Sequence, residues 1–288
     1  MTRSIELAKQ IGFEWKSDNP LIFPQVWDVA SARVLAKANF PLLTTSASAY
    51  AWAQGYRPGE RVGLEELLVV AGRIVREVKL PLLADLEGCF ERSNQDIKKG
   101  VKAALSIGSK GVFISDGGRD GLHQMLAIME VANRLKSSRL AALELKTPLF
   151  LVARTDALSL ASILANPFEE TIERVNAYFN AGADLVLIEG VQNRDVVAQL
   201  MQKSNGPIAI SVVHPHAPSL QEYRDMGVAA LSLGTGLQRS ALSDMARKAE
   251  ILQSSGQFMH LDDAITENEL SDLFVGSSET IKPLAANS

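Results

Sequence analysis

Short apolar segments alternate along the chain with longer stretches of helical periodicity, and this alternation most constrains the fold. Continuous apolar strands that are separated by helices are typical of a parallel sheet covered by those helices. Helical stretches include Leu64–Val78, Gln95–Ile107, Gln124–Leu135, Phe168–Asn180 and Leu220–Met226. The predicted strands lie at residues 21–23, 41–46, 81–87, 111–116, 148–156, 184–190, 207–213 and 229–234.

Four of the helix-to-strand connections share one local pattern, as in "ALSIGSKGVFIS" and "YFNAGADLVLIEG". Each predicted helix ends at Gly108, Gly182, Gly227 or Asn39, residue types that tolerate the left-handed backbone conformation after a helix. Repeated turns of this kind with eight strands predict an α/β fold, a (β/α)₈ TIM barrel. An open doubly wound sheet is the less favoured alternative, because no glycine-rich dinucleotide fingerprint follows the first strand.

The pattern changes after residue 240, so we predict a barrel domain over residues 1–240. Residues 241–288 form a C-terminal helix and a flexible tail that belong to the same domain. The helix is predicted over Ala241–Gln253, and the tail from Val275 is expected to fray. A helix left over from a closed barrel must cap its own barrel or pack on a neighbouring subunit, and we expect the second.

Composition and charge exclude several classes of protein. The formal net charge is −4 and no basic run is long, so nucleic acid is not an expected partner. The single cysteine excludes an internal disulfide framework and suits a reducing compartment. No signal-type or bilayer-length apolar segment is present in the sequence, which predicts a cytoplasmic protein with no membrane partner.

In a TIM barrel, the active site lies at the carboxyl ends of the strands. There, in "PLLADLEG", Asp85 and Glu87 are two residues apart and therefore face the same side of their strand. Adjacent carboxylates repel one another unless they share a proton or bind a cation, and oxygen ligands suit Mg²⁺ or Mn²⁺. The alternative is a charged loop in which they pair with Arg92 or Lys98.

Other polar groups at the strand ends leave more than one interpretation open. Arg154 is a candidate clamp for a substrate carboxylate or phosphoryl group, which is favoured over a structural ion pair with Asp156 or Glu189. Cys89 is expected to be a buried packing residue. His214 and His216 suit catalytic bases, metal ligands or a plain surface turn. The "GTG" at residues 234–236 is expected to be a barrel-closing turn rather than a phosphate site.

The run "WDVASARVLAKANFPLLTTSASAYAWAQGYRPGE", followed in order by "PLLADLEG", "PLFLVARTD" and "AGADLVLIEG", resembles the isocitrate lyase/phosphoenolpyruvate mutase superfamily. The likeness is strongest to its short-loop, phosphonomutase-like members and covers roughly Pro20 to Ala241. It implies a (β/α)₈ barrel whose final helix is often exchanged between subunits of a homo-oligomer, a dimer or a tetramer. It also implies an enzyme that makes or breaks a C–C or C–P bond beside a 2-oxo or 2-hydroxy acid.

The same resemblance implies a role for each matching residue. It assigns Asp85 and Glu87 to the Mg²⁺ shell, with Asp116 as the remaining acid of the next strand. Arg154 would hold a substrate carboxylate or phosphoryl oxygen. The other substrate-binding residues implied are Trp27, Asp28, Thr45, Ser46, Ala47 and Glu189, with backbone amides near Ser46 directed at the substrate carboxylate.

Several positions depart from the pattern of the superfamily. Pro58 and Ser115 stand where relatives usually carry acids near the metal, so Mg²⁺ affinity is expected to be weakened or lost. The segment "SDGGRDGLHQM" contains neither the catalytic loop of isocitrate-type lyases nor that of phosphonomutases, although His123 within it is a candidate proton donor.

These features predict a Mg²⁺-dependent carbon–carbon lyase or decarboxylase that acts on a small 2-oxo or 2-hydroxy carboxylic acid. The reaction would pass through a pyruvate-like enolate stabilised by the metal. Two alternatives stay open. The first is C–P bond chemistry of the phosphoenolpyruvate mutase or phosphonopyruvate hydrolase type. The second is a catalytically retired barrel that binds a metabolite or a protein partner.

Overall fold

The computed structural model describes residues 1–16, 18–89, 93–117, 125–191, 193–213, 216–258 and 263–274. Its centre is one sheet of nine strands, and every pair of neighbouring strands is parallel. The strands are β1 Leu21–Phe23, β2 Gln25–Val26, β3 Leu43–Thr45, β4 Leu82–Asp85, β5 Gly111–Ser115, β6 Phe150–Thr155, β7 Leu185–Ile188, β8 Ile208–Ser211 and β9 Ala230–Ser232.

The first two strands close this sheet into a barrel. The strand order begins at β1, runs from β9 down to β3 and ends at β2, and only Pro24 separates β1 from β2 in the chain. Proline has no N–H to donate, but its carbonyl still accepts the Thr44 amide at 3.1 Å. Counting β1 and β2 as one interrupted strand gives eight, so the predicted TIM barrel is confirmed.

Helices surround the barrel in the predicted alternation, and the helix predicted over Gln124–Leu135 begins and ends later than expected. In the part of this helix beyond Leu135, the buried Ser138 hydroxyl donates back to the Arg134 carbonyl at 2.9 Å and is therefore satisfied inside the helix. The described helices are α1 Thr2–Ile11, α2 Val29–Lys37, α3 Ala47–Ala53, α4 Leu64–Glu77, α5 Asn94–Ser106, α6 Ile128–Glu144, α7 Pro167–Asn180, α8 Arg194–Lys203, α9 Leu220–Asp225, α10 Gly236–Ser255 and α11 Glu267–Asp272.

The predicted left-handed residues are confirmed at all four helix-to-strand connections. Gly108, Gly182 and Gly227 have φ values of 99°, 102° and 76°, and Asn39 has 61°. Each of these residues ends a helix and turns the chain toward the next strand within a few residues. The turn is short because the left-handed conformation reverses the chain direction in one step.

Helix α1 closes the amino-terminal end of the barrel. The rings of Phe13 and Trp15, which follow α1, pack edge-to-face on Phe150, with centroids 5.4 and 5.8 Å away. The Trp15 indole N–H donates to the Ala229 carbonyl at 3.0 Å, so the polar edge of this large ring is satisfied. With this end filled by apolar side chains, the open end of the barrel is the carboxyl end of the strands.

The predicted C-terminal helix is present as α10, which extends beyond the predicted bounds at both ends. Gln238 is its one buried residue in the described chain. Beyond α11, the Leu273 carbonyl accepts from Arg33 on α2, and the Arg33 guanidinium lies 5.1 Å from the centre of the Phe274 ring. The tail predicted to fray from Val275 lies outside the described residues. Exchange of this helix between subunits stays a prediction.

Substitution of Gly111 tests the tight packing of the barrel wall. A Cβ atom at this position would overlap the Phe150 carbonyl oxygen on the neighbouring strand and lie 2.9 Å from the Phe150 Cβ. We expect Gly111→Ala to lower the free energy of unfolding by about 3 kcal/mol or more, because neither backbone can move freely. Urea unfolding followed by circular dichroism measures the change.

The matched control is Gly236→Ala, at the start of α10, where the added Cβ meets nothing within 4 Å. Its free energy of unfolding should change by no more than about 1 kcal/mol, since alanine favours the helix. Equal effects from the two substitutions would contradict the packing described for β5 and β6.

Candidate active site

A pocket of about 390 Å³ opens at the carboxyl ends of the strands, at the predicted location. The loops after β3, β4, β5, β6, β7, β8 and β9 all contribute to it, so the pocket is a property of the closed barrel. Its charged lining consists of four acids and two arginines: Glu60, Glu87, Asp156, Glu189, Arg154 and Arg239.

Asp85 ends β4 directly behind this lining and is 7% exposed. Its two carboxylate oxygens accept from backbone amides, Oδ1 from Glu87 at 3.0 Å and Oδ2 from Ala47 at 3.1 Å. Its own amide donates to the Thr45 hydroxyl oxygen at 2.8 Å. Backbone donors thus hold the carboxylate in one orientation, and a carboxylate oxygen has a second lone pair with which to bind a ligand.

Glu87 lies at the pocket wall in a strained backbone conformation, with φ of 47°. Its carboxylate accepts from the Glu60 amide at 2.6 Å. Burial and the nearby negative charge of Asp85 raise its pKa to about 7, although the Glu60 amide and Arg154 oppose the shift. Left-handed residues other than glycine are often found at functional sites, where the surrounding structure stabilises them.

Two side chains from distant parts of the chain lie close to the turn that follows Glu87. Arg134 on α6 is buried, and its guanidinium donates to the Gly88 carbonyl and, at 2.7 Å, to Glu130. A Cβ atom at Gly88 would lie 2.9 Å from Oε1 of Glu60 and 3.3 Å from Nη1 of Arg134, so both side chains are close to this turn. Neither Arg134 nor Glu60 was predicted from the sequence, because both are many residues away from the end of β4 in the chain and only the fold brings them to this turn.

Arg154 forms a bidentate ion pair with Asp156, in which Nε and Nη2 donate to the two carboxylate oxygens at 2.9 Å each. Although burial opposes its charge, Asp156 and more distant Glu189 and Asp85 raise the pKa of Arg154. The ion pair with Asp156, which the sequence left open as the alternative role of Arg154, is thus present in the structure. The third guanidinium nitrogen, Nη1, takes no part in this ion pair. Burial raises the pKa of Glu189, while Arg154 opposes that shift.

Asp116 points away from the pocket, into the layer between the barrel and α7. It is fully buried and accepts from Arg174 at 3.2 Å, from the Tyr178 hydroxyl at 2.8 Å and from the Asp156 amide at 2.9 Å. Burial and Asp156 raise its pKa, and Arg174 counteracts them. These contacts favour a structural role over the predicted metal ligand, because Asp116 is fully buried, is paired with Arg174 and is not among the residues that line the described pocket.

The predicted substrate-binding amides near Ser46 have partners within the protein. The Ser46 amide donates to the Val26 carbonyl at 2.9 Å, and the Ala47 amide donates to Asp85. The Ser46 side chain caps α3 and lines the pocket. Of the predicted residues, Ser46, Glu87, Arg154 and Glu189 line the pocket together, whereas Asp85, Thr45 and Ala47 lie behind it.

Trp27 and Asp28 are placed differently from the expected pocket floor. Asp28 caps α2, where its carboxylate accepts from the Ser31 amide at 2.7 Å in a reciprocal capping box. The Trp27 amide donates to the Ser31 hydroxyl at 3.2 Å. In the described part of the chain the pocket lining includes neither residue, and Gln25 on β2 lines it instead.

The remaining sequence predictions concern packing, histidines and ion pairs. Cys89 is fully buried, as expected for a packing residue. Lys98 pairs with Glu144 at 2.5 Å, which removes one of the alternative partners of Asp85 and Glu87. Gly234 and Thr235 form a turn that lines the pocket. His123, His214 and Arg92 lie outside the described residues.

No group of three or more His, Cys, Asp or Glu side chains in the described chain is arranged to hold a metal by protein ligands alone. Mg²⁺ usually binds through one or two carboxylates and completes its shell with water and substrate oxygens. The carboxylates of Asp85 and Glu87 fit that pattern, because they are adjacent and the acid-rich lining favours a cation.

No described helix has the length and apolarity needed to span a bilayer.

The fold and the similar proteins place the chain in a superfamily of lyases and mutases. A family model described as phosphoenolpyruvate phosphomutase matches residues 15–253, and the chain belongs to this family. The predicted membership of the isocitrate lyase/phosphoenolpyruvate mutase superfamily is therefore confirmed.

Three comparisons show how close the relatives are. Phosphoenolpyruvate phosphomutase of Streptomyces hygroscopicus is 26% identical over 86% of this chain and 81% of its own. 2-Methylisocitrate lyase of Bacillus subtilis is 25% identical over 93% and 89%. A crystal structure of a proposed lyase/mutase from Burkholderia cenocepacia J2315 superposes with a TM-score of 0.84 at 26% identity, covering 94% of this chain and 96% of that one.

The raised pKa of Glu87 predicts a pH dependence of stability in metal-free buffer. The folded state disfavours the ionised carboxylate, so stability from this group is fully present below its unfolded pKa of about 4.5 and is lost as the pH rises through about 7. In Glu87→Gln this loss should be absent. The variant should therefore gain up to about 3 kcal/mol relative to wild type between pH ~5 and ~8.

Urea unfolding at the two pH values measures this difference. The control is Glu144→Gln, because Glu144 is an exposed acid whose pKa is lowered to about 2 by Lys102 and Lys98. That group stays ionised over the whole range, so its substitution should give the same difference at both pH values. A pH-independent difference for Glu87→Gln would contradict the proposed burial of this charge.

Proposed function

We propose that the protein is a carbon–carbon lyase or decarboxylase that acts on a small 2-oxo or 2-hydroxy carboxylic acid. The observation that carries this proposal is the carboxylate pair of Glu87, in the wall of an acid-rich pocket at the open end of the barrel, and Asp85, directly behind it. The pocket volume is within the ~300–1,000 Å³ usual for small-molecule sites. The family supports the same class of reaction, since its members include lyases and mutases.

The charges of the pocket support a requirement for a cation. Four acids and two arginines form its charged lining, and Asp85 adds a fifth carboxylate behind Glu87. An anionic substrate would be repelled by this excess of negative charge. When bound at Asp85 and Glu87, Mg²⁺ would offset that repulsion and stabilise negative charge that develops on a substrate oxygen.

Side chains of the protein would orient the substrate and transfer protons. Arg154, held by Asp156, would present Nη1 to a substrate carboxylate in a fixed orientation. Glu189, whose pKa is raised by burial and which is not assigned to the metal, is an acid of the described pocket that suits proton transfer. Asp85 would hold its orientation throughout, because two backbone amides donate to it.

Calorimetric titration with oxalate, a planar mimic of a pyruvate enolate, tests this proposal. We expect binding that requires Mg²⁺ and that weakens roughly 100-fold in Asp85→Asn, because the variant lacks the anionic ligand. The control is Asp96→Asn, an exposed acid on α5 that pairs with Lys99. It should bind oxalate as wild type does, and melting temperatures establish that each variant is folded.

The alternatives give other results in the same experiment and in a substrate screen. Binding without any need for Mg²⁺, or no binding in either condition, would contradict the lyase proposal and favour a retired barrel. The relatedness to phosphoenolpyruvate phosphomutase keeps C–P chemistry as a second candidate. Turnover of phosphonopyruvate but not of 2-oxo or 2-hydroxy dicarboxylates would favour that candidate.

A further inference from the structure

Asp116 contacts the backbone at both ends of the short segment that carries Arg154 and Asp156. Its amide donates to the Arg154 carbonyl at 3.1 Å, and its Oδ1 accepts from the Asp156 amide at 2.9 Å. The neighbouring residue, Ser115, is paired with Arg154 in the register of β5 and β6. One residue behind the pocket therefore fixes the backbone of both members of the ion pair that lines the pocket.

Helix α7 holds the other carboxylate oxygen of Asp116. Oδ2 accepts from the Tyr178 hydroxyl at 2.8 Å and from Nη1 of Arg174 at 3.2 Å, and all three side chains are buried. Nη1 of Arg174 also donates to the Leu126 carbonyl at 2.9 Å, and Nε donates to Glu170 at 2.8 Å. Because hydrogen bonds in a buried layer of low dielectric are stronger than in water, this cluster orients the Asp116 carboxylate.

The loop after β5 also restricts the carboxylate of Asp156. A Cβ atom at Gly117 would lie 2.7 Å from Oδ2 of Asp156, so a side chain at this position would displace that oxygen. The Gly117 amide donates to the Ser115 hydroxyl oxygen at 3.1 Å, which holds the glycine in place. Asp156 in turn accepts from Nε and Nη2 of Arg154 at 2.9 Å each. The remaining guanidinium nitrogen, Nη1, is thereby restricted in its direction.

We propose that Asp116 is a positioning residue, which acts through Asp156 to orient Arg154 toward the substrate carboxylate. The contacts run from α7 to Asp116, then to the Asp156 amide and finally to the Arg154 guanidinium. A guanidinium that recognises a planar carboxylate must be held to within ~10–20° of the productive direction, and a rigid layer behind it supplies that precision. This inference rests on the proposed function, in which Arg154 binds the substrate.

Calorimetric titration of the full chain with oxalate at saturating Mg²⁺ tests the positioning role. In Asp116→Asn an amide replaces one acceptor oxygen, while Arg174 keeps Glu170 as a carboxylate partner. We expect oxalate to bind about tenfold more weakly, since the Arg154 guanidinium is less well oriented. Tyr178→Phe removes one donor to Asp116 and should weaken oxalate roughly threefold. This second variant decides the question if Asp116→Asn does not fold.

The matched control is Asp184→Asn, at the opposite end of the barrel. Asp184 is also buried, accepts from the Leu151 amide of β6 at 2.9 Å and pairs with Arg139 on α6. This substitution breaks a buried ion pair of the same kind, so both Asn variants should lower the melting temperature. Only Asp116→Asn should weaken oxalate binding, which a purely structural role for Asp116 would not produce.

A conservative pair of variants at Arg174 isolates the contribution of its charge. Arg174→Gln removes the cation that pairs with Asp116, so oxalate should bind more weakly. Arg174→Lys keeps a positive charge beside Asp116 and should recover part of that affinity. Equal oxalate affinities for the two variants would contradict a role of this ion pair in positioning.

The outcomes distinguish this inference from the proposed function. If Asp116→Asn and Tyr178→Phe bind oxalate as tightly as wild type, or if Asp184→Asn weakens it as much as Asp116→Asn, then Asp116 has only a structural role. The proposed acid site still stands in that case, because wild type binds oxalate with Mg²⁺. If wild type binds no oxalate, the proposed function and the positioning role are both overturned.

Discussion

Parallel hydrogen bonding on both sides of one interrupted strand closes the barrel, and the site depends on that closure. Phe23 on β1 pairs with Ser232, and Val26 on β2 pairs with Thr45. Because all strands run in the same direction, all their carboxyl ends meet around one opening. Residues that are far apart in the chain, such as Glu87 and Glu189, therefore line a single pocket.

Closure creates an electrostatic problem at that opening, where carboxylates gather in a partly buried space. Hydrogen-bond donors and arginines close to these carboxylates offset their repulsion. Backbone amides donate to Asp85 and Glu87, Arg154 pairs with Asp156, and Arg174 with Tyr178 satisfies Asp116 in the layer behind. These contacts do not fully compensate for burial and for the nearby negative charges, so the pKa values of Glu87 and Glu189 stay raised. Such residual strain is characteristic of sites that bind a cation or transfer protons.

Much of the fold could be predicted, because it follows from local chemistry. Strand segments are short and apolar, helix ends are marked by glycine or asparagine, and the left-handed residues occur where these types predicted them. The general location of the site also followed, since strand ends can be identified in the sequence once a barrel is assumed. Asp85, Glu87 and Arg154 were found in this way, and their catalytic or binding roles stay predictions.

The contacts of individual side chains could not be predicted, because they depend on distances across the barrel. The family resemblance implied that Trp27 and Asp28 bind substrate, yet Asp28 caps α2. Asp116 looked like a metal ligand, yet its carboxylate turns toward α7, whose Arg174 lies 58 residues further along the chain.

The sequence by itself determined the alternation and order of strands and helices, the turns that end the helices and the acids at the strand ends. Only the tertiary structure decided which side chains face the pocket, which are satisfied behind it and that Asp116 contacts the segment that carries Arg154. The reason is physical. Backbone conformation responds to near neighbours in the chain, whereas the environment of a charge is set by groups that folding alone brings together.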